Sequence, residues 1–458
     1  MKIIVCGAGQ VGFNIAKQLS EQGSDVTVID QSSELIRKIS DSLDVQGIVG
    51  HASDPYMLDK ANATDADMIV AVTFSDEINM IACQVAHSLF QVPTKIARVR
   101  NQAYLSKKWA DLFNRDNMPI DVIISPEKEV AEALSRRMQL PGAFNMVPFV
   151  GGDVRVIGMV LEDNCPVVNT PLRQLSELFP NLQTSVLAII RHGKVFLPSS
   201  SDQMEVGDEV YVAVEKAQTA RTMAVFGHEE QMARRVVIIG GGNVGFYLAQ
   251  ILEEQDSNIN LKIVEMDQER AEKVAVKLSR SLVINGDALS REILAEVNVA
   301  EAETVVAVAN DDEVNILTSL LAKREGCARA IALINNTVYG SLTGSLGVDV
   351  AIDPRESTVS SILRHIRRGR IRDLYSVREG QAEIIEAEVI EGSEVAGLTV
   401  SSLKFKGDVR IGIIRRGDDY IIPAGDTRFE PGDRVVLLSL FDAVHKVEKL
   451  FSARSTYF

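Results

Sequence analysis

The sequence predicts an α/β protein built as a tandem duplication. Each half is a doubly wound parallel-sheet domain followed by a small α+β domain. Three observations carry this. "VCGAGQVGFN" from Val5 returns as "IIGGGNVGFY" from Ile238. Short β-branched runs alternate with helical patterns after each copy. Both halves then end in valine- and isoleucine-rich segments joined by tight glycine turns, "EVGDEV" and "EPGDRV".

The repeat extends well beyond the glycines. Gly7 aligns with Gly240, Gly9 with Gly242 and Gly12 with Gly245. "AVTFSDEIN" (Ala71 to Asn79) meets "AVANDDEVN" (Ala307 to Asn315), and "ISPE" at Ile124 meets "IDPR" at Ile352. Later, Pro198 falls over Pro423 and Gly207 over Gly432. A self-match of this length marks duplication of a folding unit rather than a recurring turn. The expected boundaries are a sheet domain with its exit helix over 1–140, a small domain over 141–227, a second sheet domain over 232–366 and a second small domain over 367–458.

In the first half the strand candidates are Ile3–Cys6, Val26–Ile29, Val45–Val49, Met68–Val72, Ile96–Val99 and Val122–Ile124. Continuous apolar runs of this length suit a parallel sheet covered on both faces. Val11, Ile15 and Leu19 recur every four residues and give the helix stripe that covers it. Ser125 with Pro126, and Asp353 with Pro354, put a capping side chain before a proline suited to the first helical turn. A helix starting there carries the chain out of each sheet domain. The small domains show no catalytic constellation and read as modules for ligand binding or assembly.

Composition excludes several classes. The 458 residues fit two to four domains, and 46% hydrophobic with 24% charged residues is ordinary for a folded protein. A net charge of −15 repels phosphodiester backbones, so no nucleic-acid partner is expected. Cys6, Cys83, Cys165 and Cys327 are scattered without a CxxC pair and read as reduced small hydrophobes. No leader segment and no eighteen-residue apolar run is visible, so a cytosolic chain is expected, reaching a membrane only through a partner.

The chemistry lies in the two turns. A lone GxGxxG is weak evidence. Here each copy follows a strand candidate, opens a helix and precedes an acid closing the next strand, Asp30 in one half and Glu265 in the other. That is the fingerprint of a Rossmann-like dinucleotide site. Glycines let the backbone approach a pyrophosphate at a helix N-terminus, and the carboxylate accepts ribose hydroxyls. The candidate residues are Gly7, Ala8, Gly9, Gln10, Val11, Gly12 and Asp30, and Gly240, Gly241, Gly242, Asn243, Val244, Gly245 and Glu265. A carboxylate repels a 2′-phosphate, and no arginine adjoins either acid in sequence, which favours NAD(H) over NADP(H). The competing reading keeps the glycines for packing alone.

Further positions ring the turns. Asp287, after the third strand of half two, is placed to reach an adenine or ribose edge, and His51 replaces it in half one. His51 reads equally as a loop residue or a contact. Thr73 and Phe74 close the fourth strand of half one, opposite Ala309 and Asn310. Arg98 and Arg100 close its fifth strand, opposite Leu333 and Asn335, and serve either phosphate or solvent. By strand alternation the two arginines share a face, so site one is expected to suit phosphate-rich nucleotides such as ATP. The run "RHIRRGRIR" from Arg364 to Arg372 either complements a helix C-terminus or docks on an acidic partner or anionic lipid.

A dehydrogenase needs a proton-transfer group beside its cofactor. His51, His87, His192, His228, His365 and His445 have no histidine counterparts across the repeat, so a duplicated cofactor turn comes without a duplicated acid–base group. "MKIIVCGAGQVGFNIAKQLSEQGSDVTVID", "RRVVIIGGGNVGFYLAQIL" and the order of the four parts resemble the TrkA family along essentially the entire chain. These are the peripheral nucleotide-binding subunits of bacterial Trk potassium uptake systems, built from two RCK (KTN) units. The resemblance implies a non-enzymatic subunit on the cytoplasmic side of the inner membrane. It would form a homo-oligomer, expected to be a tetramer, docked on the membrane protein TrkH. It would gate potassium flow in response to NAD(H), with ATP or ADP at the same sites. Carried over, the family's NAD contacts fall on Gly7 to Val11, Asp30, Thr73, Phe74 and Arg98, and on Gly240 to Val244, Glu265 and Asp287. The alternative is a soluble NAD-dependent oxidoreductase.

Overall fold

The computed structural model describes residues 1–452 except 22, 180–181, 230–231, 256–257, 367–370, 379, 404 and 406. The first sheet contains β1 (Lys2–Cys6), β2 (Asp25–Asp30), β3 (Gln46–Val49), β4 (Met68–Ala71), β5 (Thr94–Arg98) and β6 (Val122–Ile124). It is parallel throughout in the order β3-β2-β1-β4-β5-β6. Strand order reverses between β1 and β4, which opens a crevice beyond their carboxyl ends. The buried Ile3, Ile4, Val5 and Cys6 of β1 explain its central place. The Gln10–Glu21 helix covers one face with Gly12, Ile15, Ala16 and Leu19, close to the expected stripe.

The first small domain folds β7 (Ala143–Phe149), β8 (Val154–Val160), β9 (Thr184–Arg191), β10 (Lys194–Phe196) and β11 (Glu209–Glu215) into an antiparallel sheet, β10-β9-β11-β8-β7. The second half repeats the plan. Its parallel sheet is β14-β13-β12-β15-β16-β17, from β12 (Arg235–Ile239), β13 (Asn260–Glu265), β14 (Leu282–Asn285), β15 (Thr304–Ala307), β16 (Arg329–Leu333) and β17 (Val350–Ile352). Its antiparallel sheet is β18-β19-β22-β20-β21, from β18 (Ile371–Val377), β19 (Ala382–Glu388), β20 (Val409–Arg416), β21 (Asp419–Ile421) and β22 (Arg434–Leu440).

The four parts do not pack in chain order. The two sheet domains form one compact unit and the two small domains another. Within the first unit the exit helices join the halves. The Pro354–Ile366 helix of half two sends Val359, Ile362 and Leu363 into a core with Val5, Ile15 and Leu19 of half one. Burying each such side chain contributes about 1.5–3 kcal/mol. The Pro126–Gln139 helix reaches the other way, with Ser135 Oγ donating to Gln255 Oε1 at 2.9 Å. Both helices begin at their proline as expected, but the caps differ. Asp353 accepts the Arg355 N–H at 2.8 Å, whereas the buried Ser125 hydroxyl has no hydrogen-bond partner among the described residues.

In the second unit the small sheets bury Val154, Val156, Leu187 and Ala213 against Ile384, Ile413, Val436 and Leu438. The glycine turns carry a duplicated brace. The buried Asp208 accepts Arg191 at 2.8 and 2.7 Å, and the buried Asp433 accepts Arg416 at 2.8 Å through each oxygen. Gly207 and Gly432 hold φ of +86° and +93° there, the left-handed geometry those turns were expected to need. Of the basic run, Arg367, Arg368 and Arg370 lie outside the described residues, and Arg372 pairs with Glu388. No helix among the described residues is long and apolar enough to cross a membrane.

Candidate nucleotide sites in the two glycine turns

Each turn is built by three glycines with different duties. Gly7 has φ +110°, and a Cβ there would stand 3.0 Å from the Thr73 nitrogen. A Cβ on Gly12 would fall 1.8 Å from the Gly7 carbonyl oxygen, so the helix can approach its own turn only with glycine there. Gly240 and Gly245 repeat both constraints, at φ +104° and with 2.0 Å to the Gly240 oxygen. The middle glycines are not required in this way. A Cβ on Gly9 would meet nothing within 4 Å, and one on Gly242 would approach only Arg270 Nη1, at 3.6 Å. The fold tolerates a larger residue there, so the glycine keeps the space above the turn open.

The acids occupy equivalent places. Asp30 accepts the Ala8 N–H at 2.7 Å and the Ser32 N–H at 2.8 Å. Glu265 accepts the Gly241 N–H at 2.7 Å and the Asp267 N–H at 2.9 Å. A carboxylate offers about four lone-pair sites, so both retain acceptor capacity for ribose hydroxyls. Each also ties the turn to the following crossover. Gln10 and Val11, like Asn243 and Val244, form the first helical turn after the glycines.

The crevice edge holds residues that sequence reasoning passed over. Asn79 is fully buried. It accepts the Thr73 N–H and Oγ1–H at 2.8 and 2.7 Å and donates to the Thr73 and Arg98 carbonyls at 3.2 and 2.9 Å. Asn315 accepts the Ala309 N–H and donates to the Ala309 and Leu333 carbonyls. Asp76 receives the Arg100 and Asn101 N–H groups, as Asp312 receives those of Asn335 and Asn336. These side chains fix the loops after the fourth and fifth strands. Their signal was present in the aligned "SDEIN" and "DDEVN".

Arg98 and Arg100 are held by different partners. Arg98 ends β5 and donates to the Thr73 carbonyl at 2.8 Å, while its buried Nε has no partner among the described residues. Burial holds its guanidinium below the usual range, with the neighbouring Arg100 charge adding to the effect. Arg100 lies past the strand end, so alternation no longer governs it. It pairs with Glu127 at 2.9 Å and stacks over Phe74 at 5.8 Å. Thr73 and Phe74 likewise follow β4 rather than end it, and Phe74 is 85% exposed. A cleft of about 720 Å³ opens over Phe74, Arg100 and Glu127 and reaches Asn243 of the second turn helix. Glu127 Oε2 is buried there without a hydrogen-bond partner among the described residues. Leu333 is buried, and Asn335 is bound to Asp312. His51 is exposed and bonded to Ser53, and Asp287 accepts the Leu289 N–H in its own loop.

Duplicated dinucleotide-type turns, exit helices shared between halves and paired small domains define a tandem RCK-type ligand-binding protein. The RCK domain of GsuK superposes with a TM-score of 0.59 at 17% identity, covering 98% of this chain and 94% of that one. The GsuK channel gives 0.61 at 17%, covering 97% and 79%. The TrkA-N domain model matches residues 3–126 and 236–354, and the TrkA-C domain model matches 156–227 and 384–452. The chain is 47% identical to the Trk system potassium uptake protein TrkA of Azorhizobium caulinodans over 458 residues, all of both chains. It is 39% identical to that of Halomonas elongata, again over all of both. The chain belongs to the TrkA family.

Proposed function

We propose that this chain is the nucleotide-sensing subunit of a potassium uptake system, with one NAD(H)-type site in each sheet domain and ATP or ADP competing there. The observation that supports this most is the open middle glycine of each turn, facing an acid with spare acceptor capacity. Gly7 to Gly12 and Gly240 to Gly245 would take the pyrophosphate, and Asp30 and Glu265 the adenosine ribose. Thr73, Phe74, Arg98 and Arg100 border the remainder of the first site, and Asp287 the second.

A bound nucleotide shifts a gate only if it binds the gate's states unequally. The exit helices offer a route, since each is rooted in one half and packed on the other, so ligand at one turn bears on the packing of both. The partner is a TrkH-type membrane protein, contacted from the cytoplasmic side by a homo-oligomer, expected to be a tetramer. The test is potassium flux through the reconstituted partner, with and without this protein and each nucleotide. Flux that ignores the protein in every nucleotide condition rules the proposal out. Hydride transfer from NADH to a carbonyl metabolite would favour an enzyme instead.

A further inference from the structure

The second glycine turn does not face only its own half of the chain. A cleft of about 390 Å³ lies over Gly241, Gly242 and Asn243, with the Gln268–Lys277 helix forming part of its wall, and Gln102 of half one lines it as well. Gln102 and Asn243 also line the cleft over Phe74 and Arg100, so the two openings meet at these residues. The sequence expectations give each turn contacts from its own half alone, and Gln102 is not among them.

The loop after β5 holds Gln102 in place from both sides. Asp76 accepts the Arg100 and Asn101 N–H groups, and Asn101 Oδ1 accepts the Ala103 N–H at 3.0 Å. The Gln102 carbonyl itself accepts the Leu105 N–H at 3.1 Å. The side chain is half-buried, and its carboxamide makes no hydrogen bond among the described residues. A carboxamide carries two N–H donors. Held on an ordered loop, such donors reach a ligand with little further loss of freedom. Half two has a different residue at the equivalent place. Asp312 accepts the Asn335 and Asn336 N–H groups as Asp76 accepts those of Arg100 and Asn101, so the next residue, Thr337, aligns with Gln102. Its hydroxyl sits on a much shorter side chain.

We propose that Gln102 completes the second site from the opposite half, donating its carboxamide N–H to the pyrophosphate of an NAD(H)-class ligand held over Gly242. This rests on the nucleotide reading of the turns given above. A neutral donor suits that place, since it adds a contact to the phosphates and leaves Glu265 its role toward the ribose. Arg100 stands in the same loop and borders the first site, so the second site draws on a segment that the first also uses.

The test is NADH calorimetry on the full chain with Gln102→Ala and Gln102→Glu, each made in the Asp30→Ala background, which isolates the second site, and in the Glu265→Ala background, which isolates the first. At the second site Gln102→Ala is expected to weaken NADH about fivefold, the worth of one hydrogen bond to a charged group. Gln102→Glu keeps the shape but sets a carboxylate against the phosphates, so it should weaken NADH by about tenfold or more, with the gap between the two variants narrowing as salt rises. At the first site both changes should stay within about twofold, and the melting midpoint without ligand within about 1 °C of the parent. A loss at the first site instead, or no loss at either, overturns the contact and leaves the nucleotide reading standing. Gln102→Glu proving milder than Gln102→Ala, or a matching fall in the melting midpoint, assigns the side chain to packing and also overturns it. Absence of NADH binding at both turns of the parent protein removes the nucleotide reading and this inference together.

Discussion

The first glycine turn has its cationic groups on the β5 side, and the second has them on the helix after β13. Around the first turn stand Arg98, Arg100 and Glu127. The aligned residues of half two are Leu333, Asn335 and Arg355, the last lying 3.4 Å from Asp353. Around the second turn stand Arg270 and Lys277, where half one has Leu35 and Ser42. Yet the glycine constraints, the acid bonding to the turn, and the buried Asn79/Asn315 and Asp76/Asp312 pairs are common to both. Duplication has preserved what the backbone requires and let the charges around the turns diverge. A shared acid with different cations is the arrangement expected of two sites tuned to different phosphates.

The comparison is broken most severely at the third glycine. Gly12→Ala or Gly245→Ala places a methyl within 2.0 Å of a carbonyl oxygen, where only backbone movement gives relief. Each is expected to cost about 3 kcal/mol or more and to lower the thermal midpoint of the sheet unit. Gly9→Ala meets no atom, so it leaves that midpoint within about 1 °C while blocking ligand at site one. Equal melting losses for Gly9→Ala and Gly12→Ala would mean that the middle glycine serves packing after all.

A smaller break comes at the acids. Asp30→Ala and Glu265→Ala are each expected to weaken one NAD(H) site by about 1–3 kcal/mol through unpaired ribose hydroxyls. Each also frees two backbone N–H groups, so part of the loss comes from a loosened turn. Calorimetry should then count one strong site per chain instead of two. A parent protein that binds only one NAD(H) per chain contradicts the equivalence of the acids.

The arginines sharpen the asymmetry more gently. ATP affinity at site one is expected to fall by about fivefold in Arg98→Ala, which removes the guanidinium at the end of β5 beside Thr73. Arg100→Ala is expected to do less, because Glu127 already holds that guanidinium. Glu127→Gln should release it and tighten ATP by about twofold, with steeper salt dependence. Titrating ATP at two ionic strengths checks all three. If Arg98→Ala changes neither affinity nor salt slope, β5 supplies no phosphate ligand.

Much of this was legible in the sequence because the governing constraints are local. A glycine that must hold φ +110°, a strand buried on both faces and an acid closing the next strand each leave a mark within a few residues. Arg98 and Arg100 were misjudged as a pair because the strand ends at Arg98, and period-two reasoning stops with it. Arg270 was overlooked because only the helix brings it to the turn. The grouping of sheet domain with sheet domain was hidden for the same reason: Val359, Ile362 and Leu363 make an ordinary amphipathic stripe, and nothing local says whose core receives it.

An effect on stability rather than on ligand lies at the back of the second turn helix, where Glu253 stands in half two and Ser20 in half one. The Ser20 hydroxyl donates to the Lys17 carbonyl of its own helix at 3.0 Å. Glu253 reaches across to the loop entering β14, accepting the Ser279, Arg280 and Ser281 N–H groups at 3.0, 2.8 and 2.7 Å and the Ser281 hydroxyl at 2.6 Å. Desolvation pushes its carboxyl upward, but the Ser281 hydroxyl and the three N–H groups together outweigh it and bring the value down to about 2. A pKa depressed in the folded state adds stability above the unfolded value, near 4.3 for glutamate, and that stability is lost as pH falls through the folded value. Glu253→Ser, which installs the half-one residue, should therefore destabilise the sheet unit by about 1 kcal/mol at pH 7, after discounting for solvent screening at this mostly exposed group. The difference from the parent should shrink between about pH 4.5 and 2 and vanish below. Urea midpoints of parent and variant measured across that range decide the matter. A gap that stays constant down to pH 2 would assign the brace to shape rather than charge, and the two halves would then differ here only in packing.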